Sequence, residues 1–153
     1  MILTAYRLIK AKYADTAFSG EGSRLNGGRW SPPGLPVVYL AGSLPLAVLE
    51  ILVHLERPTV LGSYVFFEVS FSEETVLALD DDDLPEGWRS DPEPLATATI
   101  GANWISGQAS LLLRVPSAVV PQNHNYLLNP AHPDITRAEI AGPFPFDVDH
   151  RLG

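Results

Sequence analysis

Residues 27–50 read GGRWSPPGLPVVYLAGSLPLAVLE, and the order of their parts predicts the centre of the fold. A glycine-rich loop comes first, and the continuous apolar run Val37–Ala41 follows between a proline and a glycine. A short apolar run bounded in this way is typical of a buried strand. Ser43 is a suitable helix N-cap, and Pro45 is tolerated in a first helical turn. The segment therefore predicts a loop, a strand and then a helix that runs to about Glu56 before Pro58.

Three polar side chains interrupt these apolar elements in a chain of which only 18% is charged. They are Arg29 in the loop, Tyr39 in the strand and Glu50 in the helix. A guanidinium, an aromatic ring and a carboxylate are the groups needed to hold a dinucleotide and to break its glycosidic bond. Glu50 and His54 lie at helical positions i and i+4 and share a face. Spacing alone favours neither a water-restricted cleft nor the wet edge of a mostly buried helix.

The other two side chains also have ordinary structural interpretations. Arg29 either grips a diphosphate or is a structural arginine, stacked on Trp30 or paired with an acid. Tyr39 either stacks on a flat ligand ring or is a core tyrosine whose hydroxyl is satisfied at the edge. Ser117 lies at a proline-shaped strand break with no nucleophile-elbow motif around it, so a serine hydrolase is disfavoured.

Strands outnumber helices over the whole chain. This pattern favours an α+β domain, with mixed or antiparallel sheets and short helices, over a doubly wound sheet. Residues 1–153 are expected to form a single domain. Besides the central elements, the sequence predicts five strands, one helix and three loop regions: Leu3–Ile9, Gly62–Phe71, Ser110–Val115, Ala118–Val120 and Phe144–Val148; Leu95–Gln108; Asp15–Ser31, the acidic Asp80–Pro94 and the irregular Gln122–Asp134.

Composition excludes several classes of function. The net charge is −8 without any basic run, which argues against direct binding to nucleic acid. Cysteine is absent, which removes disulfides, Cys–zinc sites and a Cys nucleophile. His124, His132 and Asp134 match no metal motif, so no metal is expected. No segment resembles a signal peptide or a membrane helix, and we expect a cytoplasmic protein.

Six motifs occur in order along essentially the whole chain: Phe18–Gly22, Gly27–Gly34, Val37–Ala41, Leu46–Glu50, Val115–Pro121 and Asn125–Asp134. Each motif alone is weak, but together they resemble the RES domain, the toxin half of the bacterial RES–Xre toxin–antitoxin systems. Ser31 stands where Asn is expected more often, and we expect no functional consequence of this difference.

The resemblance implies a fold similar to diphtheria-type ADP-ribosyltransferases, with NAD as substrate. The arginine, glutamate and serine of the family name correspond to Arg29, Glu50 and Ser117, and Tyr39 matches an accompanying tyrosine. By this resemblance, Ser117 would bond the carboxamide or the ribose of NAD. Arg7 is predicted as a further NAD contact. Asn125, Tyr126 and Asn129 follow Ser117 and either face the same cleft or serve turn chemistry. Of these three, Asn129 is predicted to bind NAD.

The resemblance also implies a type II toxin that cleaves the nicotinamide–ribose bond and arrests bacterial growth. ADP-ribose would pass to a protein, to water or to phosphate, and neither motif nor composition distinguishes these acceptors. An Xre-type antitoxin would block the active site in a hetero-oligomer. The alternative from another class is a non-catalytic module whose cleft binds only a nucleotide or a partner.

Overall fold

The computed structural model describes residues 1–54, 63–147, 149 and 151. The described residues form three α-helices: α1 (Glu21–Asn26), α2 (Leu44–Leu52) and α3 (Leu95–Gly107). They also form seven strands: β1 (Ile2–Lys10), β2 (Val38–Ala41), β3 (Tyr64–Ser72), β4 (Val76–Ala78), β5 (Leu112–Pro116), β6 (His124–Leu128) and β7 (Glu139–Pro145). Short 3-10 turns occupy Ala11–Thr16, Glu73–Thr75, Asp81–Asp83 and Ile135–Arg137.

The strands form one sheet in the order β4-β5-β6-β2-β1-β3-β7. Only the β4–β5 pair is parallel, and the other pairs are antiparallel. The longest ladder joins β1 to β3, from Ile2 opposite Ser72 to Lys10 opposite Tyr64. The predicted α+β class, with mixed or antiparallel sheets and short helices, is confirmed.

Apolar residues cover both faces of the sheet. Successive residues of a strand point to opposite faces, so Leu112 and Leu113 of β5 belong to different core clusters. One cluster includes Val38, Leu40 and Phe71. On the opposite face, α3 packs with the loop before β2, and α2 packs on β1 and β2. This second face holds the site described below.

The local helix and strand signals around residues 38–52 are confirmed. Ser43 caps α2, and its Oγ accepts a hydrogen bond from the backbone N–H of Leu46 at 3.2 Å. The helix ends earlier than predicted, at Leu52. The predicted continuation to Glu56 and the stop at Pro58 lie outside the described residues. The predicted strands Leu3–Ile9 and Ser110–Val115 and the predicted helix Leu95–Gln108 agree with β1, β5 and α3 to within two residues.

The predicted strand Ala118–Val120 is wrong. Ser117 Oγ accepts hydrogen bonds from the N–H groups of Val119 and Val120, both at 3.1 Å. A side chain that captures backbone donors in this way competes with a sheet ladder and closes a turn. The segment Gln122–Asp134 is not irregular throughout, because its first half forms β6 between β2 and β5.

Three further boundaries differ from the prediction. The loop region Asp15–Ser31 contains α1, whose six residues lack a strong apolar periodicity. The last strand, β7, spans Glu139–Pro145 and so ends where the predicted strand Phe144–Val148 begins. The three-residue strand β4 was not predicted. None of the described helices is long and apolar enough to cross a membrane.

Candidate active site

A cavity of about 780 Å³ lies on the face of the sheet that α2 and α3 cover. Its volume falls within the range of roughly 300–1,000 Å³ typical of small-molecule sites. Four of the predicted site residues line the cavity, although they come from separate parts of the chain. These are Arg7 from β1, Arg29 from the loop before β2, Tyr39 from β2 and Glu50 from α2. The structure therefore brings the three polar residues of the 27–50 segment together around one space.

Helix α3 fixes the loop that carries Arg29. Thr97 Oγ1 donates a hydrogen bond to the carbonyl oxygen of Arg29 at 2.5 Å. The backbone of Trp30 passes so close to Gly101 that a Cβ there would lie 1.6 Å from the Trp30 carbonyl oxygen. The Trp30 side chain is buried in the cluster that contains Trp104. The position of Arg29 therefore depends on residues about 70 positions later in the sequence.

The guanidinium of Arg29 is held by backbone carbonyls. Its Nη1 donates to the carbonyl oxygens of Trp88 and Ser90, at 2.9 and 2.8 Å. These bonds tie the acidic loop to the edge of the cavity, where Asp91 and Glu93 also contribute to the lining. Arg29 thus anchors the acidic loop through backbone carbonyls, whereas the sequence had suggested stacking on Trp30 or pairing with an acid. Its guanidinium also lines the cavity.

Arg7 is held in the same manner. Its Nε donates to the carbonyl oxygen of Ala17 at 3.0 Å, and its Nη1 donates to that of Tyr39 at 3.3 Å. Burial lowers the pKa of Arg7 to about 10, so the side chain is charged at neutral pH. Within residues 1–54 and 63–147, neither Arg7 nor Arg29 forms an ion pair with an acid. Guanidinium groups that form no ion pair are able to bind an anionic ligand, and the carboxylates of Glu50, Asp91 and Glu93 line the same cavity.

The hydroxyl of Tyr39 belongs to a directed chain of hydrogen bonds. It accepts from the N–H of Trp30 at 3.1 Å and lies 2.7 Å from Ser31 Oγ, which lies 2.9 Å from Ser23 Oγ. Ser23 donates its only hydroxyl proton to the carbonyl of Leu35 at 3.0 Å. Since each hydroxyl has one proton, Ser31 donates to Ser23, and Tyr39 donates to Ser31. Ser31 thus has a structural function here.

The neutral phenol of Tyr39 is strongly favoured in this setting. Burial raises the pKa of Tyr39 to about 12. A Cβ at Gly28 would lie 2.6 Å from the phenol oxygen, so only glycine lets the loop pass the ring this closely. The hydroxyl of Tyr39 is already engaged in the hydrogen bonds to Trp30 and Ser31. The ring is therefore the part of Tyr39 that remains to contact a ligand in the cavity.

We expect Tyr39→Phe to lower the free energy of unfolding by about 1–3 kcal/mol, because it leaves the Trp30 N–H and the Ser31 hydroxyl short of a partner. Urea denaturation measures this loss. Tyr13→Phe is the matched control, since the Tyr13 side chain is half exposed and should tolerate the change. Equal stabilities of the two variants would show that the hydroxyl chain contributes nothing.

The carboxylate of Glu50 is oriented by two donors that act on one oxygen. Ser117 Oγ lies 2.6 Å from Glu50 Oε1, and Asn125 Nδ2 lies 2.9 Å from the same atom. Among the described residues, none donates to Oε2, so that oxygen can accept from a ligand. Glu50 and His54 both line the cavity. The interpretation of Glu50 as a cleft residue is therefore favoured over the wet edge of a helix.

Ser117 supports Glu50 from behind. Its side chain is fully buried and is not among the residues that line the cavity. The hydroxyl accepts from two backbone N–H groups of the following turn, and its single proton goes to Glu50. This geometry favours a positioning role for Ser117 rather than the direct substrate contact expected from the sequence.

Ser117→Ala is expected to lower the rate of any reaction that depends on the Glu50 carboxylate by roughly 10- to 100-fold. The reason is that a hydrogen bond to a charged group contributes about 1.5–3 kcal/mol. Steady-state kinetics of the folded variant measure the change. Ser106→Ala, at an exposed position near the end of α3, is the control. A wild-type rate in Ser117→Ala would contradict the positioning role.

Asn129, like Ser117, is a predicted site residue that does not line the cavity. Its side chain is buried, and its Oδ1 accepts a hydrogen bond from the N–H of Ala131 at 3.0 Å. This contact is the turn chemistry that an Asn before a Pro commonly provides. The predicted contact between Asn129 and NAD is therefore not supported by its position.

Asn125 and Arg89 also line the cavity, and neither was predicted to bind NAD. Asn125 contacts Glu50, and its sequence signal was its place in the polar run after Ser117. Arg89 lines the cavity rim, and its Nε donates to the carbonyl oxygen of Ala118 at 3.1 Å. Its only sequence signal was an arginine next to a tryptophan in an otherwise acidic loop. In the described part of the chain, no cluster of three His, Cys, Asp or Glu side chains could hold a metal ion.

These observations define the class of protein: an α+β domain whose cavity combines an oriented carboxylate with guanidinium groups. The chain belongs to the RES domain family, since the model of that family matches residues 4–149. It is 38% identical to "Toxin Res" of Yersinia enterocolitica over 148 aligned residues. The alignment covers 96% of this chain and 97% of the relative. It is 36% identical to the "Prs ADP-ribosylating toxin" of Sphingobium sp. over 125 aligned residues. This alignment covers 80% of this chain and 78% of that relative.

A solved structure has a similar fold. A chain in the crystal structure of the M. tuberculosis MbcT-MbcA toxin–antitoxin complex aligns with a TM-score of 0.75 at 20% identity. The alignment covers 93% of this chain and 82% of that chain. At this level of identity, the similarity concerns the fold.

Proposed function

We propose that this protein is the toxin of a type II toxin–antitoxin system and that it cleaves the nicotinamide–ribose bond of NAD. The main support is that the oriented carboxylate of Glu50 lines the same cavity as the guanidinium groups of Arg7 and Arg29, neither of which forms an ion pair within the described residues. The names of the relatives, "Toxin Res" and "Prs ADP-ribosylating toxin", support the same reading. Residues 1–153 would act as one NAD-binding domain.

Substrate binding would rest on the two arginines and on Tyr39. The diphosphate of NAD is an anion, and a guanidinium can bind it through paired N–H groups. Arg7 and Arg29 each use Nη1 on backbone carbonyls, which fixes the planes of their guanidinium groups before the substrate arrives. The ring of Tyr39 would pack against the nicotinamide or its ribose. Such preorganisation lowers the entropic cost of positioning the dinucleotide.

Bond cleavage would rest on Glu50. When the glycosidic bond breaks, positive charge develops on the ribose, and nicotinamide leaves as a neutral group. A strong general acid is therefore not needed. A carboxylate that is already oriented stabilises the developing cation without reorganising at the moment of reaction. Ser117 and Asn125 hold Oε1, so Oε2 is the oxygen that would face the ribose.

Three acceptors of ADP-ribose fit the proposed cleavage: a protein side chain, water and phosphate. Transfer to a protein side chain is supported by the printed name of the Sphingobium relative, while water and phosphate would use the same bond cleavage. Incubation of the purified protein with NAD labelled in the adenylate part, with and without bacterial lysate, separates these reactions. Label on a protein indicates transfer, and free ADP-ribose or its phosphate indicates the other two acceptors. Intact NAD in every sample would reject catalysis and favour a non-catalytic binding module.

The partner would be an Xre-type antitoxin that covers the cavity in a cytoplasmic hetero-oligomer. Leu49 and Val53 of the α2 region are 42% and 58% exposed, and Val53 lines the cavity mouth. An antitoxin that blocks the site would bury these apolar side chains. Because the toxin has a net charge of −8, operator binding would come from the antitoxin. Restored growth on co-expression of the antitoxin tests this pairing, and continued growth arrest would contradict it.

A further inference from the structure

Arg89 brings a third guanidinium group to the cavity, from the acidic loop between β4 and α3. Its Nε donates a hydrogen bond to the carbonyl oxygen of Ala118 at 3.1 Å. Among the described residues, neither Nη1 nor Nη2 of Arg89 has a hydrogen-bond or ion-pair partner. One nitrogen therefore fixes the side chain, and the other two remain available to a ligand.

The backbone on either side of Arg89 is anchored as well. Arg29 Nη1 donates to the carbonyl oxygens of Trp88 and Ser90, which are the two neighbours of Arg89. The indole of Trp88 also packs against that of Trp30, with ring centroids 6.2 Å apart. An exposed arginine that is only solvated needs no such anchoring. Because these contacts hold Arg89 before a ligand arrives, they lower the entropic cost of binding one.

Arg89 lies at the end of the cavity where Glu50 is oriented. Ala118, which accepts from Arg89, directly follows Ser117, whose Oγ lies 2.6 Å from Glu50 Oε1. In the proposed reaction, Glu50 faces the nicotinamide ribose, and the diphosphate of NAD is attached to the 5′-carbon of that sugar. A guanidinium that only the Ser117 turn separates from Glu50 is therefore well placed for this diphosphate.

We propose that Arg89 is a substrate-binding residue that holds the diphosphate of NAD at the cavity rim, together with Arg29. A diphosphate carries negative charge on two phosphate groups, and each of them can accept paired N–H groups from one guanidinium. Asp91 and Glu93 of the same loop also line the cavity, but neither forms an ion pair with Arg89. This inference rests on the proposed NAD cleavage and adds a substrate contact to it.

Binding of ADP tests the contact without any bond cleavage, because ADP carries the diphosphate but no nicotinamide ribose. Isothermal titration calorimetry compares wild type with Arg89→Ala. We expect the Kd for ADP to rise about tenfold in the variant, the lower end for a hydrogen bond to a charged group, since Arg89 is exposed. Arg137→Ala is the control, because it removes the same charge next to Ala138, which packs on the other face of the sheet. It should bind ADP as wild type does.

Steady-state kinetics on NAD separate a substrate contact from a structural role. Loss of a contact that ground state and transition state share raises KM and leaves kcat within about twofold. If Arg89 only anchored the turn at Ala118, its loss would misplace Ser117 and Glu50 and would lower kcat instead. Thermal unfolding of Arg89→Ala, followed by circular dichroism, confirms that both measurements come from folded protein.

The outcomes separate this inference from the proposed function. An unchanged Kd for ADP in Arg89→Ala, or a fall in kcat without a rise in KM, overturns the diphosphate contact and leaves NAD cleavage standing. Failure of wild-type protein to bind ADP also overturns the contact. If ADP binding depends on Arg89 but wild-type protein releases no nicotinamide from NAD, the diphosphate contact stands and the proposed cleavage fails.

Discussion

Glu50→Gln is expected to lower the rate of nicotinamide release from NAD by about a thousandfold while the protein stays folded. The amide keeps the size of the side chain, and its oxygen can still accept from Ser117 and Asn125. The group that replaces Oε2 then donates instead of accepting, and the negative charge is lost. Removal of one preorganised electrostatic group from an active site typically costs about 100- to 1,000-fold in kcat. We expect the upper end, because here a full charge is removed.

Glu139→Gln is the matched control for this substitution. Glu139 is an exposed residue at the start of β7, and the same change in net charge should leave the rate unaffected there. Thermal unfolding of both variants excludes a loss of fold. A Glu50→Gln variant within tenfold of the wild-type rate would show that this carboxylate does not stabilise the transition state.

Gly101→Ala is expected to lower the free energy of unfolding by about 3 kcal/mol or more. The new Cβ would lie 1.6 Å from the carbonyl oxygen of Trp30, so α3 and the loop must separate. Overpacking of a well-packed core typically costs about 1–3 kcal/mol and sometimes more. Separation would also break the hydrogen bond from Thr97 to the Arg29 carbonyl. Arg29 would move, so catalysis should fall as well as stability.

Gly107→Ala is the control on the same helix. A Cβ at Gly107 meets nothing within 4 Å. The change should be neutral or stabilising by up to about 1 kcal/mol, because alanine favours a helix over glycine. Urea denaturation of both variants gives the comparison. Equal stabilities would contradict the close contact between α3 and the Arg29 loop.

Local signals explain the parts of the fold that the sequence predicted. An apolar run, an N-cap serine and an early proline specify β2 and α2 through interactions a few residues apart. The turn at Ala118–Val120 was missed because apolar β-branched residues suggested a strand, whereas the Ser117 side chain captures the N–H groups of that segment. Nothing in residue type alone distinguishes a serine that does this from one that faces solvent.

Four of the residues that the sequence predicted as site residues lie together in the structure, but the contacts that hold them were not predicted. Arg7, Arg29, Tyr39 and Glu50 line one cavity. The contacts that define what they do join distant positions, such as Ser117 to Glu50, 67 residues apart, and Arg29 to Trp88, 59 residues apart. Sequence spacing holds no information on such contacts, because the sheet order that creates them is set by packing of the whole chain.

The most direct test of NAD cleavage is the release of nicotinamide by the purified protein on its own. We expect wild-type protein to convert NAD to free nicotinamide in an amount equal to the NAD consumed, and Glu50→Gln protein at the same concentration to release nicotinamide about a thousandth as fast. NAD that remains intact with folded wild-type protein, both alone and with bacterial lysate and phosphate, would contradict the proposed cleavage.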